Sequence, residues 1–115
     1  MAIKVRRIYG DKTGHDGIRI LVDRIWPRGV SKDEAQLDHW IKDVAPSSAL
    51  RKWFGHDPDK WDEFKRRYFK ELDAAPDAVA ELRDAIGKRS ATLLFAAKDE
   101  AHNNAVALKA YLEKD

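Results

Sequence analysis

The chain has 115 residues, enough for one domain with a single substantial core and too few for two. Its 43% hydrophobic content argues against disorder, and 37% charged residues give a well-solvated surface. With 22 Lys and Arg against 20 Asp and Glu, the net charge is only +2, so nucleic acid or membrane would have to be held by a local patch. The lack of cysteine excludes disulfides, thiolate nucleophiles and cysteine-based metal sites.

The opening "MAIKVRRIYG" alternates apolar and basic residues and lacks a signal-peptide core. The longest apolar runs, such as "LLFAA", fall far short of the ~20 residues that span a bilayer. The expectation is a cytoplasmic domain with no membrane partner.

Residues 3 to 9 set Ile3, Val5 and Arg7 against Lys4, Arg6 and Ile8, the alternation of a half-exposed edge strand. A polar loop with Gly10, Gly14 and Gly17 follows, then a more apolar strand over residues 18 to 23. The loop is too short for a helical crossover, which leaves the relation of these two strands open. Ser31 and Glu34 stand at capping-box spacing. Leu37, Trp40, Ile41 and Val44 then fit one face of a helix that Pro46 stops.

"SSALRKWFG" reads as a short helix closed by Gly55. Asp57 as N-cap and Pro58 at the first helical position begin another, with Trp61, Phe64, Tyr68 and Leu72 as its apolar stripe. Pro76 opens a helix through Val79, Leu82 and Ile86 that Gly87 ends. "SATLLFAA" is the clearest buried strand, and the segment from Lys98 onward reads as a last helix. Ala101, Ala105, Leu108 and Leu112 form its core face, and Asp99 is a candidate N-cap. The expected fold is α/β: a single compact domain with a small, mainly parallel sheet of about three strands, flanked by four to five helices.

Ligands of open parallel sheets bind beyond the carboxyl ends of the strands. That rule selects two segments. After the second strand come Asp23, Arg24, Trp26 and Arg28; after "SATLLFAA" come Lys98, Asp99, His102, Asn103 and Asn104. Arg24 and Arg28 suit bidentate recognition of phosphate or carboxylate, unless they merely pair with Asp23. Trp26 suits stacking or simple packing. Asp99 and His102, one helical turn apart, suit a carboxylate that orients an imidazole for proton transfer, with Asp23 as a further base.

The same pair would suit metal ligation only with a third group such as Asp23 or His56, and no metal site is assigned. Asn103 and Asn104 suit either positioning a polar substrate or simply satisfying loop carbonyls. Arg51, Lys52 and His56 make a third cluster near a helix end, from which His56 is taken as ligand-binding.

Three segments, "RILVDRIWPRGVSK", "APSSALRKWFGHDP" and "LLFAAKDEAHNNAVAL", together resemble the YeaO-like proteins of the DUF488 family, a domain of unknown function. The resemblance spans nearly the whole chain and implies one compact α/β domain. It implies no established reaction, substrate or cofactor, and the cofactor stays unknown.

The functional expectation is a polar site at the strand ends for an anionic or nucleotide-like small molecule. Asp23, Asp99 and His102 are its candidate catalytic groups, for a hydrolase or transferase, although no glycine-rich phosphate loop or G-x-S-x-G elbow is present. The alternative is a non-enzymatic nucleic-acid binder using Lys4, Arg6 and Arg7 with the face of Lys65, Arg66, Arg67 and Lys70. A third reading is a scaffold whose exposed tryptophans dock a protein partner.

Overall fold

A computed structural model describes residues 2–9 and 16–114. Its sheet has four strands: β1 (Ala2–Arg7), β2 (Ile18–Leu21), β3 (His39–Trp40) and β4 (Ser90–Phe95), in the order β1-β4-β2-β3. Every pairing is parallel, with Ile3 opposite Ala91, Ile20 opposite Leu93 and Leu21 opposite Trp40. The fold is therefore the expected single α/β domain. Its two-residue strand β3 raises the count from about three to four. The relation of the first two strands is also settled: they never touch, because β4 lies between them.

The helices are α1 (Lys32–Ala35), α2 (Ser48–Phe54), α3 (Trp61–Asp73), α4 (Pro76–Ile86) and α5 (Asn104–Glu113), with 3-10 turns at Lys42–Val44 and Pro58–Lys60. Strand periodicity splits the core in two. Ile20, Leu93 and Phe95 meet Phe54, Phe64, Tyr68, Leu82, Leu108 and Leu112 from the longer helices. On the other face Leu21 and Leu94 meet Ala35, Trp26, Val30, Leu37 and Trp40. Residues Ala91–Phe95 are buried without interruption, as a central parallel strand requires. No helix among the described residues is long and apolar enough to cross a membrane.

Two helical expectations are corrected. The capping box at Ser31 and Glu34 forms, but the helix lasts one turn and ends at Gln36, whose φ of 47° is left-handed. Asp38 then accepts the Arg19 N–H at 2.8 Å, and the chain pairs with β2 as β3 instead of continuing as a helix. Leu37, Trp40, Ile41 and Val44 are buried or partly buried, so their apolar character was read correctly and its period was not.

The last helix begins at Asn104, with Asn103 as its N-cap accepting the Val106 N–H at 3.0 Å. Asp99 is not that cap, and Ala101 is exposed rather than in the core. The third helix starts as expected at Asp57, although its first turn is 3-10. The strand expected over residues 3 to 9 spans Ala2–Arg7, and Ile8 is nonetheless buried. Of the glycine loop, residues 10–15, including Gly10 and Gly14, lie outside the described residues.

Candidate functional site

The strands run parallel, so the loops after β1, β2 and β4 leave the sheet at one edge. There they enclose a cleft of about 990 Å³. All ten sequence-selected residues line it: Asp23, Arg24, Trp26, Arg28, His56, Lys98, Asp99, His102, Asn103 and Asn104. Arg28 and His102, 74 residues apart in the chain, share one hollow.

Asp23 joins the loops. Its Oδ2 accepts the Ala96 N–H at 2.9 Å just after β4, and its Oδ1 accepts Asn104 Nδ2 at 3.0 Å at the start of α5. Its backbone carbonyl accepts Nε1 of Trp40, the last residue of β3, at 2.8 Å. The carboxylate ties its own loop to the segments after β4 and at the start of α5, so positioning is the role its contacts describe. Burial pushes its pKa above the ordinary 3.8, against the opposing pull of Asn104, the Ala96 N–H and the Arg51 charge.

The sign of the resulting pH effect follows from proton binding. Between 3.8 and the raised folded value, the folded state binds the Asp23 proton more readily than the unfolded chain does, so acidification through that window adds stability from this group. The stability difference between wild type and Asp23→Asn should therefore move in favour of wild type as the pH is lowered from 7 towards 4. Urea unfolding at stepped pH measures it, and a flat difference would refute the assignment.

The loop after Asp23 is shaped by a short closure. Trp26 Nε1 donates to the Val30 carbonyl at 2.7 Å across a turn in which Gly29 has φ 78°, a conformation that suits glycine. Trp26 meets the edge of Trp40 with centroids 5.2 Å apart, which favours packing over ligand stacking as its main job. Tyr9, two residues after β1, donates its hydroxyl to the Arg28 carbonyl at 3.0 Å. Arg24 donates to the Ala45 carbonyl at 3.0 Å, and its Nε has no acceptor, a state Arg51 Nε shares.

Asp99 organises the opposite wall. Its Oδ1 accepts the N–H groups of Ala101 and His102 at 2.9 and 3.0 Å, and its Oδ2 lies 3.0 Å from His102 Nδ1. These contacts are an aspartate turn, not the helical turn expected from the spacing. The bond from His102 holds the Asp99 carboxyl below its usual range, so it is a carboxylate at neutral pH. The imidazole also meets the edge of Trp61 with centroids 5.3 Å apart. Asn103 is buried and committed as a cap, its Nδ2 donating to the Asp99 carbonyl at 2.9 Å. His56 is exposed, with φ 58°, beside Phe54.

The cleft floor is apolar, with Pro46, Phe54 and Phe64, and Arg51 joins its cationic wall. Arg51 was seen in a basic cluster but not selected. The spacing of "ALRKWF" does not reveal that α2 turns this one cation towards the strand ends. Tyr9 is a lining residue outside that selection, because a strand over residues 3 to 9 counts it within the strand, whereas β1 stops at Arg7. Among the described residues no carboxylate lies within ion-pair distance of Arg24, Arg28, Arg51 or Lys98. Elsewhere Arg6 and Arg19 pair with Asp16, and Arg66 and Arg67 pair with Glu63. No group of three or more His, Asp or Glu among the described residues is placed to hold a metal ion.

Fold and site together define a small parallel α/β domain with a cationic cleft at the carboxyl edge of its sheet. The chain belongs to the DUF488 family: residues 2–115 match the family model described as the inactive DUF488-N3 subclade. An uncharacterised protein of Mycobacterium tuberculosis H37Rv is 46% identical over 107 residues, covering 92% of this chain and 89% of its own. An identical level and extent of similarity is found with an uncharacterised protein of Mycobacterium bovis. The uncharacterised protein YeaO of Escherichia coli K12 is 38% identical over 112 residues, 97% of each chain. No solved structure matches.

Proposed function

We propose that this chain is a cytoplasmic binding protein for a small anionic molecule, seated in the cleft at the strand ends. One observation carries the reading: four cations, Arg24, Arg28, Arg51 and Lys98, ring one hollow with no ion-pair partner, while Arg6, Arg19, Arg66 and Arg67 have carboxylates. Unpaired guanidiniums around an apolar floor fit an anion with an apolar portion. Binding is favoured over a hydrolase or transferase reaction because the matching subclade is described as inactive.

The nucleic-acid reading draws less support. Arg7 donates to the carbonyls of Ala96 and Ala97, and the helix cations Arg66 and Arg67 are paired with Glu63.

The test is a thermal-shift screen against phosphate monoesters and carboxylates, followed by calorimetry on the strongest. Arg28→Ala and Arg51→Ala should each weaken binding by about tenfold or more, the value of a hydrogen bond to a charged group, with the fold intact. Failure of every anion to bind, or unchanged affinity in both variants, would overturn the proposal.

A further inference from the structure

The anion reading leaves part of the cleft unexplained, because one wall presents acceptors rather than donors. His102 Nδ1 donates to the Asp99 carboxylate at 3.0 Å, and in that tautomer Nε2 carries the lone pair of the ring. Asn104 is oriented in the same way. Its Nδ2 donates to the Val22 carbonyl at 3.1 Å and to Asp23 Oδ1 at 3.0 Å, so Oδ1 is left as an acceptor. Neither His102 Nε2 nor Asn104 Oδ1 receives a hydrogen bond from the described residues, and neither is sealed from solvent.

The neighbouring groups are already engaged: both oxygens of Asp23 and Asp99, and both side-chain polar atoms of Asn103. Two acceptors beside an anion site suit a ligand that brings its own hydrogen-bond donors along with the charge. The charges bound the anion as well. Four cations against the carboxylates of Asp23 and Asp99 leave a surplus of two positive charges along the cleft. That matches a phosphate monoester, which carries ~1.5 to 2 negative charges at neutral pH, better than a monocarboxylate.

We propose, resting on the anion-binding reading above, that His102 Nε2 and Asn104 Oδ1 accept hydrogen bonds from ligand hydroxyl groups. The ligand class is then a hydroxylated phosphate monoester bearing an apolar ring, the chemistry of a nucleoside 5′-phosphate. The arginines hold the phosphate, the floor of Pro46, Phe54 and Phe64 takes the ring, and His102 is the specificity-determining residue between them. Asp99 is a positioning residue, acting through the imidazole it orients.

Calorimetry with adenosine 5′-monophosphate as probe, its 2′,3′-dideoxy analogue and inorganic phosphate tests this on the intact chain. The monophosphate should bind, and the dideoxy analogue should bind about tenfold more weakly, the worth of one or two hydrogen bonds. His102→Ala should weaken the monophosphate and cut the discrimination to the part that Asn104 supplies. Arg28→Ala should weaken both nucleotides alike and preserve their ratio. That loss of discrimination is a readout that a purely structural His102 would not move. Equal affinity of the two nucleotides for wild type would overturn the inference, as would discrimination of unchanged size in His102→Ala. Binding of inorganic phosphate without either nucleotide would overturn it and leave the anion site standing. No binding by any of the three, with no hit in the anion screen, would remove both readings.

Discussion

Asp16→Ala is expected to cost about 3–5 kcal/mol of stability, a large share of what a domain this size possesses. Asp16 and Arg19 are both 2% exposed, and their ion pair lies beneath the sheet face opposite the long helices. The Arg19 guanidinium also donates to the carbonyls of Ala35 at 2.9 Å and Gln36 at 3.2 Å, while Arg6 reaches the other Asp16 oxygen at 2.6 Å. Removing the carboxylate leaves Arg19 charged, desolvated and held only by neutral acceptors. Replacing both members, Asp16→Leu with Arg19→Met, should cost less than the two single changes together, because the buried guanidinium goes with its carboxylate and only the partly exposed Arg6 loses a contact. Urea denaturation of the four proteins checks this. An Asp16→Ala loss below about 1 kcal/mol would show that the pair carries little of the fold.

Phe64→Ala is expected to be comparably severe, at about 3–5 kcal/mol. Phe64 is 2% exposed and stacks on Phe54 and Trp61 with centroids 4.4 and 5.7 Å away, while its ring also forms part of the cleft floor. Truncation opens a void between α2 and α3 that neither helix can close, since Ser47 ties them together. Its N–H and hydroxyl donate to Glu71 at 2.8 and 2.7 Å. Phe64→Leu keeps most of the volume and should cost about 1 kcal/mol. Thermal and urea melts give the ordering. Equal losses for the two variants would place the effect in the aromatic stack rather than in packing volume.

What the sequence disclosed follows from how local each signal is. Helices with both ends written in the chain, such as Pro76 to Gly87, were legible to the residue because capping and φ preferences act over a few positions. "SATLLF" was legible because a strand buried on both faces has no polar alternation to confuse it. The stretch from Leu37 to Val44 was misread because its apolar spacing also fits a helix. The deciding contact, the Arg19 N–H on Asp38, comes from a residue 19 positions earlier. In the cleft, the ten selected residues were legible from the rule that parallel strands end together. Arg51 was not, since only the tertiary placement of α2 turns that cation inward. The long tracts that carry the family resemblance coincide with the walls of the cleft.

The strand order has a consequence for how the chain comes into being. β1 and β2 end by residue 21, but the strand that joins them starts only at residue 90. During synthesis, about three-quarters of the polypeptide must leave the ribosome before either amino-terminal strand gains that neighbour. Until then their apolar faces stay open to chaperones and to one another. Folding of this domain is thus a late, concerted event, and a fragment ending ahead of Ser90 is expected to be captured by chaperones and not to accumulate as a native half.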